Sequence, residues 1–176
     1  IMEIATATLA TAVQAVKLVV SAYDGYEKGR FMKTDEAVRA EIQRRCQMLI
    51  RHSEKLEQDA HGKGQRDIRQ SLAQIIESIQ AYRRDAQFAL SGTHLSGHSG
   101  IGKLKAKAVR KLVDHDSASL NSLVEATRMG NALAEAVSQS SEEEIQTMVA
   151  EWHQKINRAR NHFLERNMYI DGLTKR

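Results

Sequence analysis

The chain of 176 residues contains no proline. At the average usage of roughly 5%, about nine prolines would be expected in a chain of this length. Proline breaks or kinks helices because it lacks the backbone N–H and its ring clashes with the preceding turn. Since nothing of this kind interrupts a helix here, long helices are expected. We predict an all-α fold in which residues 1–176 form a single-domain antiparallel bundle of about five long helices.

Size and composition agree with one globular domain that needs no covalent cross-link. The chain is 41% hydrophobic and 27% charged, which is typical of a folded protein. At this length, folding buries roughly 70% of the surface that the extended chain exposes. The single cysteine, Cys46, has no partner for an intramolecular disulfide, as is usual in a reducing compartment. We therefore expect a cytoplasmic protein.

The N-terminal segment combines an apolar run with helical spacing. Lys17 and several threonines interrupt the run from Ile4 to Ala22, so we expect neither a signal peptide nor a membrane-spanning helix. Within it the apolar positions step by four and three residues, at Leu9, Val13, Val16, Val20 and Tyr23. This spacing predicts a helix that extends to Tyr23 and is buried on most of its sides.

The same spacing predicts a second and a third helix. Thr34 is expected to cap the second, whose thin apolar seam is flanked by arginines, so that this helix should lie outermost. Gly62 and Gly64 are expected to end it, and the third helix should then pack antiparallel on it. The two seams are Val38, Ile42, Cys46, Leu49 and Leu56, and Ile68, Leu72, Ile75, Ile79, Tyr82, Ala86 and Ala89.

The last third of the chain contains one or two helices followed by a well-marked final one. Residues 114–117 leave open whether one bent helix or two separate helices follow the basic segment. Ser141 and Glu144 form a capping box that should begin the final helix. The seams are Leu120, Leu123, Val124, Leu133 and Val137, and Ile145, Val149, Trp152, Ile156, Ala159 and Phe163.

The stretch 91–102 is rich in glycine, serine and histidine and is predicted to be a flexible interhelical loop. Gly97 to Lys103 match the spacing GxxxxGK of phosphate-binding loops, but a helix precedes them and Leu104 replaces the residue that binds magnesium. Metal-ligating side chains occur nearby without the spacing of a metal site. They are His94, His98, His115, Asp114 and Asp116. We expect no nucleotide, no metal and no other cofactor.

No set of residues has the pattern of a catalytic site, and we expect the protein not to be an enzyme. Cys46 lies on an apolar seam, where a buried thiol is normally inert. The acidic residues 142–144 occupy the first turn of a helix, where they favour its dipole. Aromatic side chains at seam positions are expected to be core anchors, and these are Tyr82, Trp152 and Phe163. A solvated, ion-paired face is predicted for Arg158, Arg160 and Arg166 near Glu151 and Glu165.

The basic segment 103–111 is the strongest candidate for a binding site. It has five cationic residues and no acidic one, and Lys103, Lys107 and Arg110 share a helical face. A phosphate, an acidic lipid headgroup or an acidic protein surface would suit such a face. We predict that the binding residues are Lys103, Lys107, Arg110 and Lys111. The alternative is a solvated helix face, which is what most runs of charge turn out to be.

These patterns favour a non-enzymatic helical bundle that acts as an adaptor or scaffold by contact with another protein or with a second copy of itself. A membrane-active bundle is the rival hypothesis. An apolar N-terminal helix followed by an arginine-rich helix resembles, over residues 1–50, the HeLo-type cell-death domains. This resemblance implies that the N-terminal helix attacks membranes. Independently of the resemblance, the basic segment makes an anionic membrane surface a candidate partner. Binding of an anion or of nucleic acid through residues 103–111 is a third hypothesis, weakened for nucleic acid by a net charge of only +4.

Overall fold

In the computed structural model, the described residues are 8–26, 31–88 and 104–174. Within these ranges the chain forms five helices and no strand, which confirms the predicted all-α fold. The helices are α1 (Leu9–Lys17), α2 (Phe31–Gly62), α3 (Arg66–Phe88), α4 (Ala106–Ala136) and α5 (Glu142–Thr174). The loop predicted at 91–102 lies outside the described residues. None of these five helices is long and apolar enough to cross a bilayer.

Helices α2 to α5 form a four-helix bundle built from two hairpins. Residues 63–65 join α2 to α3, and residues 137–141 join α4 to α5. Connections this short make the two helices of a hairpin antiparallel, so the predicted packing of α2 against α3 is confirmed. Contacts of α3 with α5 and of α2 with α4 close the bundle. The remaining helix, α1, packs against α4 from outside.

The two hairpins associate through parallel helices. Three polar pairs join α3 to α5, and the residue numbers in each pair differ by 75. The pairs are Ser71 with Gln146 at 2.9 Å, Ser78 with His153 at 2.9 Å, and Asp85 with Arg160 at 2.6 Å. Because they recur every seven residues, these pairs fix the register of the two helices as polar positions do in a coiled coil. The antiparallel arrangement therefore holds within each hairpin, while the contacts between hairpins are parallel.

The predicted capping box is present at the start of α5. The Glu144 N–H donates to the Ser141 hydroxyl at 3.3 Å, and the Ser141 N–H donates to the Glu144 carboxylate at 2.8 Å. The hydrogen bond from the Ser141 backbone lowers the pKa of Glu144 below its usual value. At the other hairpin, α2 ends at Gly62 as predicted, and Gly64 follows with a φ of 72°. The start of α5 and the end of α2 are thus both set by residues next to them in the sequence, a capping box and glycines.

Close packing of α4 on α5 depends on one glycine. Trp152 is fully buried, and its indole N–H donates to the Ala126 carbonyl of α4 at 2.8 Å. Gly130 lies one turn further along α4, directly beneath the ring. A Cβ at Gly130 would lie 2.8 Å from the Cζ2 atom of Trp152, closer than carbon atoms approach each other. The predicted roles of Trp152, and likewise of Tyr82 and Phe163, as core anchors are confirmed by their full burial.

We expect Gly130→Ala to lower the free energy of unfolding by about 1–3 kcal/mol, because the added methyl group overpacks the core. This loss should occur although alanine is intrinsically better than glycine in a helix by about 1 kcal/mol. Urea denaturation measures the effect. Gly172→Ala is the matched control, since nothing lies within 4 Å of a Cβ at that position in α5. A Gly130→Ala variant as stable as the parent chain would contradict this account of the packing.

The first helix is shorter and less buried than predicted. It ends at Lys17, and Val16 is its only buried residue among the described positions. Val20 and Tyr23 are buried as expected, but they belong to a segment of turns that follows α1. There the N–H groups of Val19 and Val20 both bond to the Val16 carbonyl, so the chain tightens and leaves the helical path. The spacing of apolar residues identified three buried positions, Val16, Val20 and Tyr23, but Leu9 and Val13 are only half-buried and the helix ends earlier than predicted.

The second helix differs from the prediction at its start and in its burial. It already includes Phe31, and Thr34 is not a cap but a buried residue whose hydroxyl donates to the Asp24 carboxylate. The expectation that this helix lies outermost is also wrong. Its seam residues Val38, Ile42, Cys46 and Leu49 are completely buried, because α3 and α4 both pack against it.

The question left open for residues 114–117 has a clear answer. α4 runs without interruption from Ala106 to Ala136. The hydroxyls of Ser119 and Thr127 donate to carbonyls one turn earlier, a pattern that helices tolerate. Asp116 does not compete for backbone groups, because its carboxylate is occupied by side chains from other parts of the chain.

Candidate functional site

The basic segment lies at the beginning of α4. Lys103 is outside the described residues, so its place in the predicted site stays a prediction. Lys105 immediately precedes the helix and Lys107 lies in its first turn, and both are exposed. These two lysines belong to a stretch, residues 104–113, that contains no acidic residue. The start of α4 therefore presents positive charge to solvent.

The other two predicted binding residues interact with neighbours inside the protein. The Arg110 Nε atom lies 3.0 Å from the Asp114 carboxylate, one turn further along α4. The Lys111 ammonium lies 4.7 Å from the centre of the Tyr169 ring in α5, a distance suited to a cation–π contact. The structure thus places Lys107, Arg110 and Lys111 on two turns of one helix, but Arg110 and Lys111 are partly engaged.

The candidate phosphate and metal sites gain no support from the geometry. The GxxxxGK match and the two loop histidines, His94 and His98, lie outside the described residues. Among residues 8–26, 31–88 and 104–174, no three metal-ligating side chains come together. Asp114 is paired with Arg110, and Asp116 with Arg166.

Cys46 is buried in the core as predicted. Burial raises the pKa of its thiol to about 12, so the thiol is protonated at neutral pH. A protonated, inaccessible thiol is a poor nucleophile.

A buried ionic cluster lies where α2 and α4 begin and α5 ends, and the sequence patterns did not reveal it as a unit. Its members come from the turns after α1, from α2, from α4 and from α5, and all are buried. We call this group the ionic cluster: Tyr23, Tyr26, Asp35, Arg39, Asp116 and Arg166. It joins the N-terminal segment to three helices of the bundle.

Arg166 is the centre of the ionic cluster. Its Nε atom donates to Asp116, and its Nη2 atom lies 2.7 Å from Asp35 and 3.0 Å from the Tyr26 hydroxyl. Its other terminal nitrogen, Nη1, is buried without a hydrogen-bond partner among the described residues. One guanidinium group therefore links α5 to α4, to α2 and to the N-terminal segment.

The carboxylates of the cluster are each held from two sides. Asp116 accepts hydrogen bonds from the phenols of Tyr23, at 2.8 Å, and of Tyr26. Asp35 pairs at 2.9 Å with Arg39 as well as with Arg166. Two guanidinium groups thus face two carboxylates, which is the balance that buried charges require.

Burial and the neighbouring charges together fix the protonation states in the cluster. Burial raises the pKa of Tyr23 and of Tyr26 far above the usual value, and the nearby Asp116 carboxylate acts in the same direction. For Arg166, burial is the largest single effect and opposes the charge, but the attractions of Asp116, Tyr26 and Asp35 together outweigh it and the pKa is raised. At neutral pH both phenols are therefore donors and Arg166 is a cation, which matches the hydrogen bonds observed.

The prediction that Arg166 belongs to a solvated face is wrong, because this residue is completely buried. Its neighbour in that prediction, Arg160, pairs with Asp85 of α3. A sequence signal for the burial of Arg166 does exist: the four-three spacing of the α5 seam continues from Phe163 to Arg166 and on to Ile170. Charged residues are mostly exposed, even in a helix with an apolar seam. The burial of Arg166 could therefore be recognised only once its carboxylate partners were known from the structure.

The N-terminal segment reaches the cluster through an unusual turn. Gly25 and Tyr26 have consecutive positive φ angles of 71° and 68°. Glycine adopts positive φ angles without strain, but any other residue pays roughly 1–3 kcal/mol for them. The hydrogen bonds of the Tyr26 hydroxyl must therefore stabilise Tyr26 in this conformation. Val13 of α1 packs on the Cα atom of Gly25. A Cβ atom at Gly25 would lie only 2.7 Å from the Cγ2 methyl carbon of Val13.

The pair of Ser78 and His153 has the residue types of a hydrolytic dyad. Ser78 Oγ lies 2.9 Å from His153 Nε2, and a surface cleft of about 280 Å³ borders the histidine. Burial lowers the pKa of His153, which favours a neutral imidazole. The same contact recurs one heptad away on either side with residues that have no nucleophile–base chemistry. We therefore interpret the pair as one of the three register-fixing contacts between α3 and α5.

Comparison of the chain with protein-family models, with curated proteins and with solved structures found no match.

Proposed function

We propose that the protein is a non-enzymatic helical-bundle module that acts by contact with another protein, and that the side of α4 carrying α1 is its contact surface. The observation that supports this is the position of α1. Helices α2 to α5 close a bundle among themselves, whereas α1 lies outside it and contacts mainly α4. A bundle that binds one short helix on its side has the shape of a helix-binding module.

The weak attachment of α1 supports the same proposal. It has nine residues and buries only Val16. Isolated helices shorter than about 12 residues are marginal in water, so α1 depends on its contacts for its helical structure. The ionic cluster begins only at Tyr23, so the firm attachment of the N-terminal segment follows α1 and does not include it.

Hydrogen exchange measured by mass spectrometry tests this arrangement. We expect the amides of α1 to exchange at least about 100-fold faster than those of the α2 seam, because elements with few buried contacts open locally. The amides around Tyr23 to Tyr26 should exchange at an intermediate rate. The buried stretch of α2 around Ile42 and Cys46 is the internal reference. Protection of α1 equal to that of α2 would mean that α1 is an integral part of the bundle and would contradict the proposal.

A membrane-active bundle is the second candidate, and one observation favours it. All four large apolar side chains that are exposed in the described residues lie in the half of the bundle that includes the ionic cluster: Leu18, Met32, Phe88 and Met168. That half, residues 8–26, 31–46, 75–88, 104–120 and 158–174, has fourteen Lys and Arg against ten Asp and Glu. The other half, residues 47–74 and 121–157, has seven against ten. Exposed apolar groups with excess positive charge suit an anionic lipid surface.

Dye release from anionic liposomes separates the two candidates. For a protein-binding module we expect no release by the full chain, and a variant lacking residues 1–17 should remain folded because it keeps Tyr23 and Tyr26. Release by the full chain that is lost in this folded truncation would put the membrane function first. The reducing compartment expected from the lone Cys46 leads us to propose the cytoplasm as the site of action.

A further inference from the structure

The N-terminal segment, residues 8–26, is hydrogen-bonded to the bundle at one of its ends. Within the part of the chain that the structure describes, every side-chain hydrogen bond from this segment to the bundle comes from residues 23–26. One of them joins Asp24 to the hydroxyl of Thr34 in α2. The residues before this end, including α1, attach through apolar side chains such as the buried Val16. The hydrogen-bonded end is therefore what fixes the segment in place.

Two phenols at this end share a single acceptor atom. Tyr23 and Tyr26 both donate to Asp116 Oδ2, whereas Arg166 Nε donates to Asp116 Oδ1. The Tyr26 hydroxyl also accepts a hydrogen bond of 3.0 Å from Arg166 Nη2. Tyr26 is thus bonded to both members of one buried ion pair, and the segment is held in the ionic cluster by neutral hydroxyl groups.

The charges of the ionic cluster are balanced without the N-terminal segment. Two arginines and two aspartates pair with one another, and all four belong to α2, α4 and α5. If residues 23–26 moved away, water would replace the two phenols at Asp116, and no charge would lose its counter-ion. Loss of a counter-ion is the change that makes the breaking of a buried ion pair so destabilising. Departure of the segment therefore leaves the four-helix bundle electrostatically complete.

Backbone strain at Tyr26 opposes the bonds that its hydroxyl makes. Among the described residues, Tyr26 is the only one other than glycine with a positive φ, at 68°. Release of the turn would allow this residue to return to a negative φ, so relief of strain favours opening. Val13 of α1 packs on the neighbouring Gly25, so the same turn also supports α1. Opening at Tyr26 would therefore free α1 as well.

We infer that residues 8–26 form a strap over α4 that opens without unfolding of the bundle, and that Tyr26 is its latch. α1 frays on its own, but the strap leaves α4 only when the bonds of Tyr26 break. The latch thereby controls access to the surface of α4, and a partner that binds the open form would shift the equilibrium toward it. Only this use of the open form rests on the proposed function, because the opening itself requires no partner.

Native-state hydrogen exchange of the full chain, followed by NMR at urea concentrations below the unfolding transition, tests the latch. The amides of Val20 and Tyr23 report on the strap, since both are hydrogen-bonded within it. The amide of Ile42 reports on the bundle core. The urea dependence of exchange follows the surface that an opening exposes. We expect the strap amides to show no more than about half the urea dependence of Ile42.

Two matched substitutions test whether Tyr26 is the latch. Tyr26→Phe removes one hydroxyl while Asp116 keeps its bond from Tyr23 and the charges stay paired. We expect the strap amides to exchange about tenfold faster in this variant. Tyr82→Phe also removes a buried hydroxyl, but one that makes no hydrogen bond among the described residues. This control should leave exchange of the strap amides unchanged.

Gly130→Ala distinguishes opening of the strap from unfolding of the whole chain. Gly130 lies 14 residues beyond Asp116 along α4, or about 21 Å. The clash of its added methyl group with Trp152 is present whether the strap is open or closed. The variant should therefore speed exchange of the Ile42 amide about tenfold and leave the strap amides unchanged. If Gly130→Ala does not fold, the urea dependence of the parent chain decides the question.

Other results would overturn the inference. Strap amides with the urea dependence of Ile42, or equal acceleration of both by Gly130→Ala, would show that the strap opens only when the bundle unfolds. Unchanged exchange of the strap amides in Tyr26→Phe would show that Tyr26 is not the latch. Fast exchange within α1 alongside any of these results would leave the proposed function standing, so the two failures are distinguishable.

Discussion

Replacing Arg166 by methionine should lower the free energy of unfolding by about 3–5 kcal/mol, because it leaves buried carboxylates without their shared cation. Asp116 would keep only the two phenols, and Asp35 only Arg39. The loss is a large part of the roughly 5–15 kcal/mol that stabilises a typical domain. Urea denaturation followed by circular dichroism measures it.

Two further variants show whether the loss comes from uncompensated charge. Arg158→Met changes an exposed arginine on the same helix and should shift stability by no more than about 0.5 kcal/mol. Asp116→Asn added to Arg166→Met should recover part of the loss, because it removes one unpaired carboxylate while the phenols keep an acceptor. A loss below about 1 kcal/mol for Arg166→Met alone would contradict a central role in the ionic cluster.

Alkaline pH should unfold the protein steeply. Burial raises the pKa of Tyr23, Tyr26 and Tyr82 far above the value of about 10 that tyrosine has in an unfolded chain. A group with a raised folded-state pKa contributes stability that is fully present below pH 10 and is lost as the pH rises beyond it. Above pH 10 the unfolded chain releases these three protons while the folded chain retains them. Stability should therefore fall by about 1.4 kcal/mol per pH unit for each tyrosine, or about 4 kcal/mol for the three together.

Absorbance at 295 nm and circular dichroism, recorded together above pH 9, check this expectation. Ionisation of the three buried tyrosines should coincide with the loss of helical signal. Tyr82→Phe removes one buried phenol whose hydroxyl makes no hydrogen bond among the described residues, so it should make the transition less steep without disturbing the ionic cluster. Ionisation of all tyrosines near pH 10 in a chain that stays helical would show that the phenols are accessible.

The elements of the bundle could be predicted because their signals are local. The seams of α3 and α5 are buried at every described position, from Ile68 to Ala86 and from Ile145 to Phe163. The capping box at Ser141 also formed as expected, since its two hydrogen bonds involve residues only three apart. The boundaries of α1 and α2 were missed where tertiary contacts overrode local preference. Thr34 bonds to Asp24 and does not cap its own helix.

Some features of the candidate site are likewise visible in the sequence, whereas others appear only in the structure. A run of cations such as residues 103–111 is visible in the sequence, but the engagement of Lys111 by Tyr169 is not. Arg166 and Asp116 occupy seam positions, yet a charged residue there is ambiguous until its partner is known. Their partners lie far along the chain: Asp116 is 50 residues from Arg166, and Tyr26 is 140 residues from it. The spacing of residues along a helix gives no information about contacts between residues so far apart in the sequence.

The sequence by itself determined the all-α fold, the buried faces of its long helices and their antiparallel hairpins, because helix periodicity, caps and short turns depend on neighbouring residues. Only the tertiary structure decided that the hairpins meet through parallel helices, that α1 lies outside the bundle, and that two arginines and two aspartates share a buried cluster. These features depend on which surfaces meet when the chain collapses. That choice is made by shape and charge complementarity between segments that are distant in sequence, so it appears only when all the helices are in place.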